Sequence, residues 1–152
     1  KTFEDILLFE AWQIYGEKVK VDPGHFGAET LRLFQAAEFI TLDTYEMALA
    51  RRAELLPEAR KVYDDIDVLL TPAAPFVAPA TTPPVDTHDG VVEGFYTGVF
   101  NVTGDPAISI PCGLNSEGLP IGLQLATAKG TDMRLLSIAS AIEGLLGFQR
   151  SN

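Results

Sequence analysis

Hydrophobic and polar positions change their rhythm once along this chain, near residue 66. Before that point apolar residues recur at helical spacing. "TFEDILLFEAWQIYG" (2–16) places Phe3, Ile6, Leu7 and Ile14 on a broad apolar face. Thr2 is the predicted N-cap, acids fill the first turn, and Gly16 is the predicted stop. "DPGHFG" (22–27) reads as a loop, and "AETLRLFQAAEFI" (28–40) as a second helical segment. Asp43 with Glu46 three residues on forms a capping-box pattern for a third helix through "YEMALARRAELL". Pro57 lacks the amide donor a helix interior needs, so a kink or restart is expected there before "PEARKVYDDI".

After residue 66 the pattern shortens. "DVLLTP" (67–72) is an apolar run closed by proline, the mark of a buried strand. Residues 71–90 contain Pro72, Pro75, Pro79, Pro83 and Pro84 and predict a long extended loop. "VVEGFYTGVFN" (91–101) predicts a short helix interrupted by two glycines. "AISI" and "IGLQLATA" predict strands, joined across the turn sequence "NSEG" as an antiparallel hairpin. Pro106 and Pro111 fence the first of them. "TDMRLLSIASAIEGLLG" (131–147) predicts an amphipathic helix, with Thr131 as N-cap and Gly147 as stop. The fold class is therefore α/β, with helices flanking a few short strands. Three short strands are too few to cover so many apolar helix faces, and the sheet is expected to be partial. Residues 1–65 are expected to be mainly helical. Residues 66–152 are expected to hold a strand, the proline-rich loop, the hairpin and the final helix.

Composition narrows the function classes. The 152 residues are 47% hydrophobic and 21% charged, as in a globular domain with a core. No apolar run reaches the ~20 residues of a membrane span, and no signal peptide is visible. The chain begins at Lys1, which is compatible with a processed product or a piece of something longer. The formal net charge is −10, and no lysine or arginine occurs from Val62 to Ala128. Nucleic-acid surfaces need clustered cations, so neither nucleic acid nor membrane is an expected partner. The single cysteine excludes an internal disulfide and a multi-cysteine zinc site, and fits a reducing, cytoplasmic setting.

A catalytic constellation does not emerge. The histidines, His25 and His88, lie in loops, and none of Ser109, Ser116, Ser137, Ser140 and Ser151 sits in a G-x-S-x-G elbow. Cys112 has no basic residue nearer in sequence than Lys129 and reads as an inert, buried thiol. Asp64, Asp65 and Asp67 read as a solvated connection, with Asp67 helping to orient the turn into the strand. Asp86, His88 and Asp89 read as a surface loop rather than a metal site. No metal or cofactor is expected. What remains is "FNVTGDPAISIPCG" (100–113), shaped by glycine and proline beside strands. It has the character of a pocket wall without the nucleophile.

Four elements in order, "DVLLTPAAP", "YTGVFNVTGDPAISIPCGL", "GLPIGLQL" and a helix containing "LLSIASAIE", resemble the C-terminal part of the amidase signature family. The preceding "LDTYEMALARRAEL" fits as well, so the resemblance covers essentially the whole chain. It implies a partial mixed sheet of an α/β/α amidase-type sandwich, and hydrolysis of carboxamides through an acyl-enzyme. Family members use a serine nucleophile, a second serine in a cis peptide and a lysine, in a segment N-terminal to everything present here. The chain has no Ser-Ser pair and no lysine at a catalytic motif position, so no catalytic role carries over. The resemblance implies a substrate-side role for Thr97, Phe100 and Gly104, with Tyr96 and Asn101 nearby. The partners it implies are the N-terminal portion of the same amidase and a small-molecule amide, with a homodimer as an option. Two alternatives stay open. One is the A subunit of a glutamine-dependent tRNA amidotransferase, against which Glu93 stands out of register. The other is a non-catalytic binding or interaction domain.

Overall fold

The computed structural model describes residues 1–84 and 87–147. The chain divides into two compact units, Lys1–Pro57 and Glu58–Asn152. The first unit is helical. Helix α1 spans Thr2–Val21, α2 spans Ala28–Ala37 and α3 spans Leu42–Arg60, the last reaching into the second unit. A ring cluster joins α1 to the following segments. Tyr15 stacks on Phe34 at 5.6 Å, Phe26 meets Phe34 edge-on at 5.4 Å, and Phe9 stacks on Tyr45 at 4.4 Å. Such pairs contribute about 0.5–1.5 kcal/mol each beyond the area they bury.

Several helix ends differ from the sequence expectation. Gly16 is not a stop, because α1 runs five residues past it. A Cβ there would sit 2.9 Å from Cε2 of Trp12, so this glycine makes room for an indole instead of ending a helix. Thr2 is the first helical residue, and the cap position, Lys1, supplies no side-chain cap bond. Nor does Asp43 with Glu46 cap α3. The Thr41 hydroxyl accepts the Thr44 amide at 3.2 Å one residue before the helix begins. Pro57 lies inside α3 without a restart. It falls three residues from the helix end, where a lost amide donor removes a single bond.

Among the described residues the second unit holds three strands. β1 is Leu69–Pro72, β2 is Ala107–Leu114 and β3 is Pro120–Ala126, in the order β1-β3-β2, all antiparallel. The β2–β3 connection is the expected hairpin. Asn115 closes it, its side-chain oxygen accepting the amides of Glu117 and Leu119, with Gly118 left-handed at φ 81°. β2 does not end at Pro111 but passes it, with a register shift between Pro111 and Gly113. An edge strand tolerates a residue with no amide to donate. The loop after β1 is correspondingly shorter than expected, since Thr71 and Pro72 are in the strand and the next helix begins at His88.

The two faces of this sheet differ. On one, Ile110 and Leu125 form a buried cluster with Leu135 and Ala139 of the final helix (Asp132–Leu146, labelled α6 after the two short helices described below), and Val68, Ile108, Leu123 and Ile142 pack around it. The α6 positions are spaced i, i+4, i+7, which puts them on one stripe. Gly147 ends α6 in the left-handed conformation at φ 59°, as expected, whereas Thr131 occupies the cap position but turns its hydroxyl back to Thr127 and Ala128. Along the other face Thr71, Gln124 and Ser109 lie in one row across the three strands. Beside them is Gly122, where a Cβ would come within 2.8 Å of Ala73 Cβ and 2.9 Å of Ser109 Oγ. Gly122→Ala is therefore expected to destabilise the fold by about 1–3 kcal/mol, read as a lower midpoint of denaturant unfolding. An unchanged midpoint would show that the loop after β1 yields at no cost.

Candidate functional site

The segment that follows the proline-rich loop folds as two helical pieces. α4, His88–Glu93, is capped by Thr87, whose hydroxyl oxygen accepts the Gly90 amide at 3.2 Å. Gly94 separates it from α5, Phe95–Thr103. At the far end Gly104 adopts φ 74° and its amide closes on the Phe100 carbonyl at 2.8 Å. A left-handed residue at this point lets the chain leave the helix and enter β2 within three residues, and glycine does so without the Cβ clash.

α5 sorts the five candidate residues by its own periodicity. Thr97, Asn101 and Gly104 are spaced i, i+4, i+7 and share an exposed stripe. The Thr97 hydroxyl donates to the Gly94 carbonyl at 3.3 Å, and the Asn101 amide donates to the Thr97 carbonyl at 3.1 Å. Both donors are thus used within the helix. Phe100 is buried, as are Gly98 and Thr103. Tyr96 is half-buried, and its carbonyl accepts a bond from Gln124 Nε2 at 2.9 Å.

That last bond is the tie sequence reading missed. Gln124 is buried in the middle of β3 and also donates to the Thr71 hydroxyl of β1 at 2.9 Å. One amide nitrogen thereby fixes the start of α5 to two strands. Its only trace in the sequence is a single amide inside the apolar run "IGLQLA". A buried amide needs partners, and both of its donor hydrogens find one.

The other flagged residues have structural partners. Cys112 is half-buried, with Sγ 3.4 Å from the Ile121 carbonyl. Asp67 pairs with Arg134 of α6, which tethers the entry to β1. Asp64, Asp65 and Asp67 edge an open cavity of about 280 Å³ together with Tyr63 and Thr131. His88 and Asp89 contact each other at 3.2 Å in the solvent, while Asp86 lies outside the described residues. Among the described residues no three metal-binding side chains converge, and no helix is long and apolar enough to cross a membrane.

Comparison with known proteins identifies the class. The Amidase family profile matches residues 18–136. The glutamyl-tRNA(Gln) amidotransferase A subunit from Wolinella succinogenes is 32% identical over 131 residues, covering 81% of this chain and 28% of the relative. A fatty acid amide hydrolase from Medicago truncatula is 33% identical over 125 residues, covering 78% of this chain and 20% of the relative. A crystal structure of an amidase superposes with a TM-score of 0.81 at 27% identity, over 96% of this chain and 35% of that one. The chain belongs to the amidase family. It spans about a quarter of the length of these curated relatives.

Proposed function

We propose that this chain is the C-terminal segment of a serine amidase that hydrolyses carboxamides through an acyl-enzyme. In this reading it contributes strands and one wall of the substrate pocket, and the nucleophile and base come from an N-terminal portion of the same amidase. The observation that carries the reading is the family match over residues 18–136, in a chain with no Ser-Ser pair and no lysine placed for catalysis. The wall is α5 with its Gly104 exit. Thr97 and Asn101 offer polar groups along the exposed stripe, Gly104 admits close backbone approach, half-buried Tyr96 supplies aromatic surface, and buried Phe100 shapes the wall from within.

The test is a panel of short, long and aromatic amides assayed on the complete enzyme. Phe100→Ala is expected to change relative kcat/KM among them, by an amount equivalent to roughly 1–3 kcal/mol of discrimination. Thr97→Val should act in the same direction, and Cys112→Ser should leave turnover nearly intact. A uniform loss with Phe100→Ala would make it a packing residue only.

A second reading has support from the relatives, several of which are amidotransferase A subunits. It places glutamine as the amide that is cleaved. Release of ammonia from glutamine, with simple amides left untouched, would favour it.

A further inference from the structure

α5 is held at its two ends by different means. At the C-terminal end the hold is covalent, since only Gly104, Asp105 and Pro106 separate Thr103 from β2. The beginning follows α4 and Gly94, and β1 ends as far back as Pro72. There the tie to the sheet runs through Gln124, whose Nε2 donates to the Tyr96 carbonyl and to the Thr71 hydroxyl, each at 2.9 Å.

The surroundings of Gln124 suit it to this task. Thr71, Gln124 and Ser109 are aligned across the three strands, yet Gln124 is only 4% exposed while Thr71 is half-buried and Ser109 exposed. A buried hydrogen bond is stronger than an exposed one, because the local dielectric is low. An amide also carries two donor hydrogens on one nitrogen. The Thr71 bond takes one of them and thereby aims the other at Tyr96. An ionised glutamate, which only accepts, has nothing to give that carbonyl.

We propose that Gln124 is a positioning residue for substrate selection. By gripping the Tyr96 carbonyl it sets where the beginning of α5, and with it Thr97, stands relative to the substrate. It touches no substrate itself. This role rests on α5 being a wall of the substrate pocket, as proposed above. With the tie cut, α5 swings about its junction with β2, so displacement is largest at Thr97 and smallest at Gly104. Amides that cover more of the wall feel that displacement most, whereas the reacting centre keeps its geometry.

The experiment uses the complete enzyme with Gln124→Met, which nearly keeps volume and removes both donors, and with Thr71→Val, which removes the orienting acceptor. Thr71→Ser is the conservative variant that keeps the hydroxyl. In the amide panel Gln124→Met should raise KM for the longest amide about threefold or more, while kcat for the smallest changes less than about twofold. Thr71→Val should shift KM in the same sense, add little once Gln124→Met is present, and be rescued by Thr71→Ser. Hydrogen exchange supplies a readout apart from activity. The amides of Thr97 and Gly98 donate to the Gly94 carbonyl at 3.3 and 2.8 Å. In Gln124→Met both should exchange about fivefold faster or more, while the Leu135 amide of α6 keeps its rate. Unchanged exchange at Thr97 and Gly98 would overturn the role. So would KM and kcat shifted alike for every amide, with the amidase reading left standing. If Gln124→Met does not fold, an unaltered KM pattern in Thr71→Val overturns the role by itself. A parent enzyme that cleaves no amide would overturn the amidase reading and the positioning role together.

Discussion

Purified by itself, the 152-residue chain is expected to hydrolyse no amide. Acyl transfer of this kind needs a nucleophile, a base beside it and donors for the developing oxyanion. Several side chains with suitable chemistry have other partners here. Ser137 donates to the Met133 carbonyl within α6, and Lys1, Lys20 and Lys61 pair with Asp5, Glu38 and Glu58. The two histidines lie near Asp22 and Asp89, and both pairs are exposed. An amidase deprived of its whole catalytic group keeps at most the effects of binding and orientation, which are many orders of magnitude below normal turnover. The measurement is release of aniline from an acyl anilide, with a serine-directed sulfonyl fluoride as the second arm. Inhibitor-sensitive turnover or covalent labelling of the isolated chain would contradict the reading.

The largest structural effect is expected from Leu125→Ala. Leu125 is fully buried at the centre of the cluster built by β2, β3 and α6. Truncating such a leucine costs its transfer free energy plus the cavity left behind, about 2–5 kcal/mol. Set against a whole-domain stability of about 5–15 kcal/mol, that is enough to leave the fold marginal. Leu136, one position from the buried stripe of α6, is 50% exposed and supplies the control. Leu136→Ala should change stability by well under 1 kcal/mol. Urea unfolding of the two variants separates the cases, and equal losses would mean that α6 does not cover the sheet through Leu135 and Ala139.

Local signals are legible in this sequence where the governing interaction is itself local. "NSEG" between two apolar runs announces the hairpin because Asn115 bonds amides two and four residues away. Gly147 announces the end of α6 for the same reason. Gly16 misleads because a glycine in sequence does not say whether it serves a left-handed turn or leaves room for a neighbour. Here the neighbour, Trp12, lies one turn back on the same helix. At the start of α3, Asp43 with Glu46 outweighs Thr41 as a pattern, although the hydroxyl one step earlier is what bonds the Thr44 amide. At the candidate site the helix and its glycine exit are legible, since periodicity and the left-handed requirement are local. The ties that position it are not. Gln124 meets Thr71 across 53 residues and the Tyr96 carbonyl across 28. No local pattern in either segment marks such a meeting.

The order of strands also governs how this sheet is assembled. β2 and β3 are neighbours in the chain and close a short loop, whereas β1 must wait for β3, with Leu70 opposite Leu125. Closing the long connection costs more chain entropy than closing the hairpin, so β1 should dock last. Synthesis runs the other way, because β1 leaves the ribosome first. At about 5–20 residues per second it spends on the order of several seconds without β3, its neighbour in this sheet. Nascent chains stalled between β1 and β3 should therefore be the ones that chaperones hold.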